Sequence, residues 1–278
     1  MVDARAALLG THPDWLVPEW HARGVCALMT TRQGGIGVAP FDTLNLRAGI
    51  GDDDHAVAHN QRVLERAIGA APVYLNQVHG ATVVRLTAAD ACADANADAR
   101  PGAPVHDADA SVTSEPGVAC TVLVADCLPV LFAAPHGRAV AAAHAGWRGL
   151  ALGVLEATLA AVCEAGGCAR SEVQVWLGAC IGPRQFEVGP DVLEAFGVLP
   201  QAGAVPHFGP RFVPSGPGKW LADLPSIARD RLRATGVRTI TGGTWCSVSE
   251  PSRFYSFRRD GVTGRMAAAI WIEPGRTG

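Results

Sequence analysis

The 278-residue chain has little charge and few aromatic residues, and it lacks several patterns that would define its class at once. Charged residues make up 18% of the sequence, aromatic residues 6%, and the formal net charge is −3. This balance gives no positively charged surface for nucleic acid or for an anionic membrane. Glycine, proline, histidine or charge breaks every apolar stretch well before the roughly 20 residues of a membrane span. We therefore expect no nucleic-acid partner and no membrane partner.

The sequence also lacks the signs of an oxidising compartment. Its eight cysteines include no CxxC pair and no dense disulfide spacing, so most thiols are expected to be free. The apolar patch after residues 1–5 is four residues long, too short for the core of a signal peptide. No segment has the composition of a long linker. We expect a cytoplasmic monomer with one catalytic domain over residues 1–278.

Three residues in polar settings inside apolar sequence stand out as metal ligands: His79, Cys127 and His144. Asp126 and Pro129 interrupt the strand around Cys127, which a cysteine that only packs would not need. One thiolate and two imidazoles form a ligand set suited to zinc, with a fourth position left for water or substrate. The ordinary alternative is a buried cysteine and structural histidines. The ligand count favours a catalytic metal site.

The middle of the chain predicts a pair of antiparallel strands. Apolar runs at 118–125 and 130–134 have strand length, and residues 135–138 form a tight connection into a further strand at 139–143. If the chain folds back about the middle of that connection, paired residue numbers sum to about 273. The strands that flank the turn are then in a defined register.

This register predicts that two of the three candidate ligands meet. His144 would lie near Pro129, and Cys127 near Gly146. Neighbours on such a ladder are roughly 5 to 8 Å apart, so Cys127 and His144 are close enough to share an ion. His79 also follows an apolar run, at residues 73–78, and would have to come from another strand.

Hydrophobic period and end signals predict the remaining elements. They are a strand at 25–31, a glycine-rich loop at 32–37, a helix from Asp52 through about Ile68, an exposed loop at 88–104, a helix from Leu150 to Gly166, a strand at 173–177, helices at 191–196 and 223–234, and a hairpin of 254–259 with 265–272. Arg148 stands at a helix start between two glycines, where free N–H groups favour an anion. A surface arginine is the alternative.

Together these segments resemble the YfiH-like family, also called the laccase-domain or multicopper polyphenol oxidase family. The resemblance covers nearly the whole chain, and the string His144-Ala145-Gly146-Trp147-Arg148-Gly149 is highly specific. The other matching motifs are Thr31-Arg32-Gln33-Gly34-Gly35, Leu44-Asn45-Leu46, Asn76-Gln77-Val78-His79-Gly80, Asp109-Ala110, Ala125-Asp126-Cys127-Leu128-Pro129, Ile181-Gly182-Pro183, Phe257-Arg258-Arg259-Asp260-Gly261 and Gly264-Arg265-Met266.

The resemblance implies a fold, a ligand set and an activity. The fold is a layered α/β/β/α sandwich with mixed and antiparallel sheets, similar to the catalytic domain of cytotoxic necrotizing factor. The implied zinc ligands are His79, Cys127 and His144, and the family's members are described as purine nucleoside phosphorylases with adenosine deaminase activity. This chain departs where Arg184-Gln185-Phe186 replaces a usual Cys-Cys-Tyr run, although Glu187 remains available.

We therefore expect phosphorolysis of adenosine, inosine, guanosine or methylthioadenosine to the free base and (methylthio)ribose 1-phosphate. Hydrolytic deamination of adenosine to inosine is expected at the same site, because zinc can activate water for attack on purine C6. Asp126 or Glu187 would carry the proton. Cys127 is also expected to be a catalytic residue. The expected phosphate contacts are Arg32, Arg148 and Arg258, and the expected contacts to ribose or base are Asn45 and Gln77.

Three alternatives stay open. Copper is the alternative ion, and copper-dependent phenol oxidation is suggested by the family name, but the nine histidines include no His-x-His pair. A hydrolase with Cys127 as nucleophile and His144 as base would edit peptidoglycan precursors. The third alternative is a zinc-binding or interaction protein without catalysis. The metal content of the purified protein separates the hydrolase from the metal-binding alternatives, because a thiolate that binds a metal cannot attack a substrate.

Overall fold

Thirteen strands and seven helices are present in residues 11–92, 106–198 and 209–273, which the computed structural model describes. The strands are β1 Val25–Met29, β2 Ala71–Val73, β3 Val83–Arg85, β4 Ala110–Thr113, β5 Val118–Val124, β6 Leu128–Ala133, β7 Val140–Ala145, β8 Gln174–Leu177, β9 Glu187–Val188, β10 Phe212–Gly216, β11 Lys219–Ala222, β12 Thr239–Gly242 and β13 Met266–Ile272. The helices are α1 Asp54–Ile68, α2 Ala88–Cys92, α3 Trp147–Leu152, α4 Val154–Gly166, α5 Pro190–Ala195, α6 Leu224–Ala234 and α7 Phe257–Asp260.

These strands form two large sheets and one small one. The six-stranded sheet has the order β12-β8-β6-β7-β4-β3, and the four-stranded sheet has the order β1-β13-β5-β2. Each large sheet combines antiparallel pairs with parallel ones, which are β12 with β8, β3 with β4, and β2 with β5. The small sheet, β10-β11-β9, is antiparallel. The predicted mixed α/β fold with mixed and antiparallel sheets is confirmed.

The two large sheets pack face to face, and helices cover their outer faces. In β6, Val130 and Phe132 belong to the buried cluster that includes residues of α4, α5 and α6, whereas Leu131 and Ala133 belong to the cluster shared with the four-stranded sheet. The other face of the four-stranded sheet packs against α1. Because side chains alternate along a strand, central strands with both faces covered are apolar throughout. The likeness to cytotoxic necrotizing factor stays a prediction.

The predicted hairpin is present in the predicted register. Strands β6 and β7 are antiparallel, with Pro129 opposite His144 and Ala133 opposite Val140. A single turn of 3-10 helix, Pro135–Gly137, connects them. This local prediction succeeds because the turn lies between two short apolar runs and fixes their register.

Most of the predicted helices are also confirmed. The Asp53 carboxylate accepts a hydrogen bond from Ala56 N at 2.8 Å and begins α1, and Asp223 caps α6 in the same way. The helix expected from Leu150 to Gly166 is divided into α3 and α4 by Gly153, whose φ of 93° lies in the left-handed region. No helix in the described part of the chain combines the length and hydropathy that crossing a membrane requires.

The predicted C-terminal hairpin is wrong. Residues 254–259 form no strand; Ser256 caps the short helix α7 by accepting a hydrogen bond from Arg259 N at 3.2 Å. Strand β13 pairs instead with β1 on one side and β5 on the other. Both of its edges are therefore taken by strands that are distant in sequence, so a neighbouring segment has no free edge to join.

Two loop and strand boundaries were also predicted wrongly. Residues Ala88–Cys92 form the helix α2, whose start is held by hydrogen bonds from the Thr87 N–H and hydroxyl to Asp90 Oδ2. The rest of the expected loop, 93–104, lies outside the described residues. The apolar run at 73–78 is strand only at Val73, the last residue of β2; Asn76 makes one isolated bridge to Asp107.

Candidate metal centre

The structure brings together the three residues that the sequence predicts as ligands. The ligand atoms of His79, Cys127 and His144 all lie within 4.8 Å of one another. Cys127 Sγ is 3.9 Å from His79 Nε2, and the two imidazole rings pack edge to face with their centres 4.9 Å apart. Over residues 11–92, 106–198 and 209–273, no other group of three histidine, cysteine or acidic side chains converges in this way. Binding of a metal by these residues stays a prediction.

Cys127 is presented by a strained turn between β5 and β6. Its neighbour Asp126 has a φ of 88°, which is uncommon for a residue other than glycine. The Asp126 carboxylate accepts hydrogen bonds from Ser247 Oγ at 2.5 Å and from Arg258 N at 2.7 Å. These bonds hold the turn in place and direct the chain into β6 with the thiol half-buried beside the two histidines.

A buried carboxylate, that of Asp109, positions both histidines. It accepts hydrogen bonds from the backbone N–H groups of Val78, His79 and Gly80 at 3.2, 2.9 and 2.6 Å, and from His144 Nδ1 at 2.9 Å. The bond to Nδ1 leaves Nε2 of His144 as the nitrogen that can bind a metal. His79 adopts a φ of 61° within the loop that wraps this carboxylate.

Sequence reasoning did not assign Asp109 to the site. It entered only as part of the Asp109-Ala110 motif of the family resemblance. The available signal was an acidic residue directly before an apolar strand, at a position where burial requires several donors. Its side chain is completely buried, and the backbone also contributes, since His144 N donates to Asp109 O at 2.7 Å.

The charges of the centre are strongly coupled. Burial would raise the pKa of Cys127, but the charge and hydrogen bond of His144, with a smaller effect of His79, lower it to about 6. Burial would lower the pKa of His144, but Cys127 and Asp109 raise it to about 9. For Asp109, burial is outweighed by its hydrogen bonds from His144, Gly80 and His79, so its pKa is lowered. A thiolate beside an imidazolium is therefore the metal-free state near neutral pH.

The donor set and the space around it fit a metal ion. In a tetrahedral zinc site with zinc–ligand distances of about 2.0 to 2.3 Å, the ligand atoms lie about 3.5 Å from one another. The ligand atoms of His79, Cys127 and His144 would have to move only a short distance to reach this spacing. Gly146 makes this approach possible, because a Cβ at that position would lie 3.0 Å from Cys127 Sγ and 3.0 Å from His79 Cδ2. Imidazole and thiolate suit both zinc and copper, so the donor set is compatible with a metal without selecting the ion.

The two amides predicted to bind ribose or base are engaged with protein groups. Asn45 Nδ2 donates to Arg47 O and Asp52 Oδ2, and Asn45 Oδ1 accepts from the N–H groups of Arg47 and Arg265. All four hydrogen-bonding positions of this amide are therefore occupied. Gln77 accepts from Leu123 N and donates to Leu123 O, both at 2.8 Å. The Asn45 amide holds two backbone segments together, which leaves it no free group for a ligand in this arrangement; contact of Asn45 or Gln77 with ribose or base stays a prediction.

The predicted phosphate ligand Arg32 is likewise a structural residue. Its Nε donates to Asp42 O at 2.8 Å, one Nη donates to Pro251 O at 3.0 Å, and the other pairs with Asp42 Oδ1 at 2.9 Å. These bonds hold the glycine-rich loop against the segment before α7. With each nitrogen of the guanidinium engaged, Arg32 is a poor candidate for binding phosphate.

Two of the other predicted contacts adjoin residues next to the trio: Arg148 follows Gly146 by two residues, and Arg258 N donates to Asp126. Arg148 is exposed, with its guanidinium 4.2 Å from the centre of the Trp147 ring. Arg258, whose N–H binds Asp126, donates one Nη to Glu187 O at 3.0 Å. The Glu187 side chain is exposed and accepts from Ser215 Oγ at 3.3 Å.

The sheets and the His-Cys-His centre define a mixed α/β protein with a candidate metal site at the end of a β-hairpin. The chain matches the family model described as multi-copper polyphenol oxidoreductase laccase over residues 26–273. It belongs to this family, and the resemblance found in the sequence is confirmed.

Relatives of similar length support this assignment. A purine nucleoside phosphorylase of Pseudomonas aeruginosa is 47% identical over 261 residues, which cover 93% of this chain and 98% of the relative. The Escherichia coli purine nucleoside phosphorylase YfiH is 44% identical over 261 residues, 92% of this chain and 98% of YfiH. A crystal structure of a Neisseria meningitidis protein has a TM-score of 0.82 at 44% identity, covering 94% of this chain and 99% of that protein. YlmD of Geobacillus stearothermophilus has a TM-score of 0.80 at 32% identity, with coverages of 90% and 92%.

The ligand assignment predicts a clear difference between two histidine variants. His144→Ala should reduce the metal that copurifies with the protein to below roughly a tenth, because it removes one of three ligands. His136→Ala is the matched control, since that side chain is exposed in the turn between β6 and β7. Elemental analysis of the purified variants measures the effect. Full metal content in His144→Ala, Cys127→Ala and His79→Ala would contradict the assignment.

The role of Asp109 predicts a loss of metal affinity in Asp109→Asn. The neutral amide would no longer fix the His144 ring in one tautomer, and affinity should fall roughly 10- to 100-fold. Asp107→Asn is the control, because that exposed carboxylate accepts a hydrogen bond from Asn76 Nδ2 and lies two residues away. Competition with a chromogenic chelator gives the affinities, and circular dichroism checks the fold. Equal affinities in the two variants would show that Asp109 does not position the ligand.

The coupled charges predict how the metal-free centre titrates. The imidazolium of His144 stabilises the thiolate, so Cys127 should lose its proton at about pH 6, below the ordinary thiol value of 9.0. The thiolate should then persist as pH rises, and ultraviolet absorbance measures it as the difference between the wild type and Cys127→Ser. If this absorbance difference has its midpoint near pH 9, Cys127 and His144 are both neutral in the metal-free centre near pH 7.

Proposed function

We propose that this chain is a zinc-dependent purine nucleoside enzyme formed by one catalytic domain. Its reactions are phosphorolysis of adenosine, inosine, guanosine or methylthioadenosine, and deamination of adenosine to inosine. The observation that carries the proposal is the convergence of His79, Cys127 and His144 around a carboxylate-backed centre. The proposed substrate class is supported by relatives that are named purine nucleoside phosphorylases and match over more than nine tenths of the chain.

Deamination needs an activated water and a proton carrier. A bound zinc ion would supply a Lewis acid that lowers the pKa of water toward 7. The proton transfers then fall to carboxylates of this chain. Glu187 is the better candidate, because its exposed side chain has a single 3.3 Å bond from Ser215, whereas the Asp126 carboxylate already accepts two short hydrogen bonds.

Phosphorolysis needs a cationic site for phosphate beside the ribose. A phosphate oxygen bonds to ribose C1′ while the bond from C1′ to the purine nitrogen breaks, its electron pair leaves with the base, and the base takes up a proton. Donors that hold the phosphate stabilise the charge that develops. Arg148 is well placed, because α3 begins against the His79 loop: a Cβ at Gly149 would lie 2.7 Å from Gly80 O. Arg258 lies on the Asp126 side of the centre.

A second candidate function is a Cys-His hydrolase acting on peptidoglycan precursors. The observation that favours it is the order of the three groups: a thiol with a lowered pKa, a histidine that can act as base, and a buried aspartate that orients the histidine. These are the parts of a nucleophilic triad. Metal content decides between the two readings, because Cys127 serves either as a ligand or as a nucleophile. A copper-dependent oxidase is the weaker alternative, since the described residues provide one ligand trio.

The activity is tested by identifying products at varied phosphate. Adenosine with phosphate should yield adenine and ribose 1-phosphate, and adenosine alone should slowly yield inosine. Cys127→Ala should lose both reactions at least about 100-fold, because metal and substrate share one site. Removing the metal with a chelator should also abolish both reactions, and adding zinc should restore them. His136→Ala is the control and should match the wild type.

The result that contradicts the proposal is also defined. If chromatography finds no free base from adenosine, inosine, guanosine or methylthioadenosine in the presence of phosphate, the phosphorylase reading fails. Hydrolysis of a peptidoglycan precursor that survives chelation but is abolished by Cys127→Ala would support the Cys-His hydrolase instead. Oxygen consumption with a phenolic substrate by protein that holds several coppers would support the oxidase.

A further inference from the structure

Two arginines that sequence reasoning did not select, Arg47 and Arg265, lie side by side. The Oδ1 atom of Asn45 accepts a hydrogen bond from Arg47 N at 3.1 Å and from Arg265 N at 2.9 Å. Leu46 N also donates to Arg265 O at 3.2 Å. The completely buried Asn45 side chain therefore joins two segments that are more than 200 residues apart in sequence, each of which carries an arginine.

This pair lies next to the metal centre. Met266, at the start of β13, pairs with Val124 at the end of β5, so Arg265 adjoins the point from which the chain continues to Cys127. The electrostatics agree with this placement. Burial lowers the pKa of Arg265, the charge of Arg47 lowers it further, and the charges of Cys127 and Asp126 raise it.

Neither arginine has an acidic partner within residues 11–92, 106–198 and 209–273. Among the described residues, Arg47 and Arg265 form no ion pair, whereas Arg211 and Arg231 each pair closely with a carboxylate. Arg265 donates one Nη to Thr263 O and Gly264 O, and the described residues provide no hydrogen bond to the Arg47 side chain. Both side chains are partly buried. Two like charges that are partly removed from water are costly without a counter-charge, and a bound anion would supply one.

The surroundings indicate which anion fits. The guanidinium carbon of Arg265 lies 5.8 Å from the centre of the Phe257 ring, and Phe257 is 58% exposed. An apolar surface that suits a base or a ribose edge thus adjoins the cationic pair. Guanidinium groups bind phosphate oxygens in a bidentate manner, which a lysine cannot reproduce.

We propose that Arg47 and Arg265 bind the phosphate group, both as inorganic phosphate entering phosphorolysis and as the phosphate of the sugar 1-phosphate leaving it. The catalytic part of this inference rests on the proposed function, whereas the anion site itself does not. Asn45 is then a positioning residue, because it sets the spacing of the two arginines without touching the anion. Arg148, the candidate from sequence, contributes less than this pair.

The experiment measures phosphate binding directly, with zinc-loaded protein and no nucleoside, by calorimetry and by phosphorus NMR. Arg47→Gln should weaken binding roughly 10- to 100-fold, the loss expected for one or two charge-assisted hydrogen bonds. Arg265→Lys keeps the charge but loses the forked geometry, and should weaken binding less. Arg148→Gln should have a smaller effect than Arg47→Gln. Arg62→Gln removes the same charge from the exposed face of α1 and is the matched control.

The same variants are then assayed for the KM of phosphate in phosphorolysis, which should rise in parallel with the dissociation constant. The inference would be overturned if Arg47→Gln and Arg265→Lys bind phosphate as tightly as the wild type while Arg148→Gln binds it more weakly. That result would leave the proposed function intact. Absence of phosphate binding by the wild type at millimolar concentration would also overturn it. If phosphate binds and Arg47→Gln abolishes binding, yet no nucleoside is cleaved, the anion site stands and the phosphorylase function fails.

Discussion

The buried carboxylate of Asp109 is the constraint on which the rest of the site depends. It compensates for its loss of solvent with three backbone N–H groups and one imidazole N–H, so its charged form is favoured in spite of burial. The same four bonds fold the loop that presents His79 and fix the tautomer of His144. A single charge therefore couples the loop between β2 and β3 to strand β7, and it does so before any metal binds.

How far the site could be predicted depends on the sequence distance between its parts. Cys127 and His144 could be placed together from sequence, because they flank one hairpin whose short turn sets the register. His79 could be selected by its chemistry but not positioned, since its place depends on the loop that wraps Asp109 about 30 residues later. No local pattern encodes that contact. The central strands and capped helices were predictable for the same reason as the hairpin, because their signals are local.

A second limit on prediction is that a polar side chain looks the same in sequence whether it contacts a ligand or a buried backbone group. Asn45 and Gln77 were expected to bind substrate, yet both bind the main chain. The strand expected at 254–259 failed because both edges of β13 were already occupied. Leu123 is 46 residues from Gln77 and Arg265 is 220 residues from Asn45, although Asn45 also binds the nearby Arg47. Competition between distant partners is invisible to periodicity and propensity. Arg47 and Arg265 went unselected for the same reason, since they are brought together by the bonds of Asn45 and Leu46 to a segment more than 200 residues away.

The centre can support two chemistries, and its occupancy selects between them. With a metal bound, the thiolate of Cys127 is a ligand and Asp109 orients the His144 nitrogen toward the ion. Without a metal, the same three groups form a nucleophile, a base and an orienting carboxylate. If Arg47 and Arg265 bind phosphate as proposed, the two chemistries are no longer equally supported, because phosphorolysis consumes inorganic phosphate whereas hydrolysis by a thiol consumes water. Binding of inorganic phosphate at this pair would therefore favour nucleoside phosphorolysis over acyl transfer, whereas its absence would leave the two chemistries balanced.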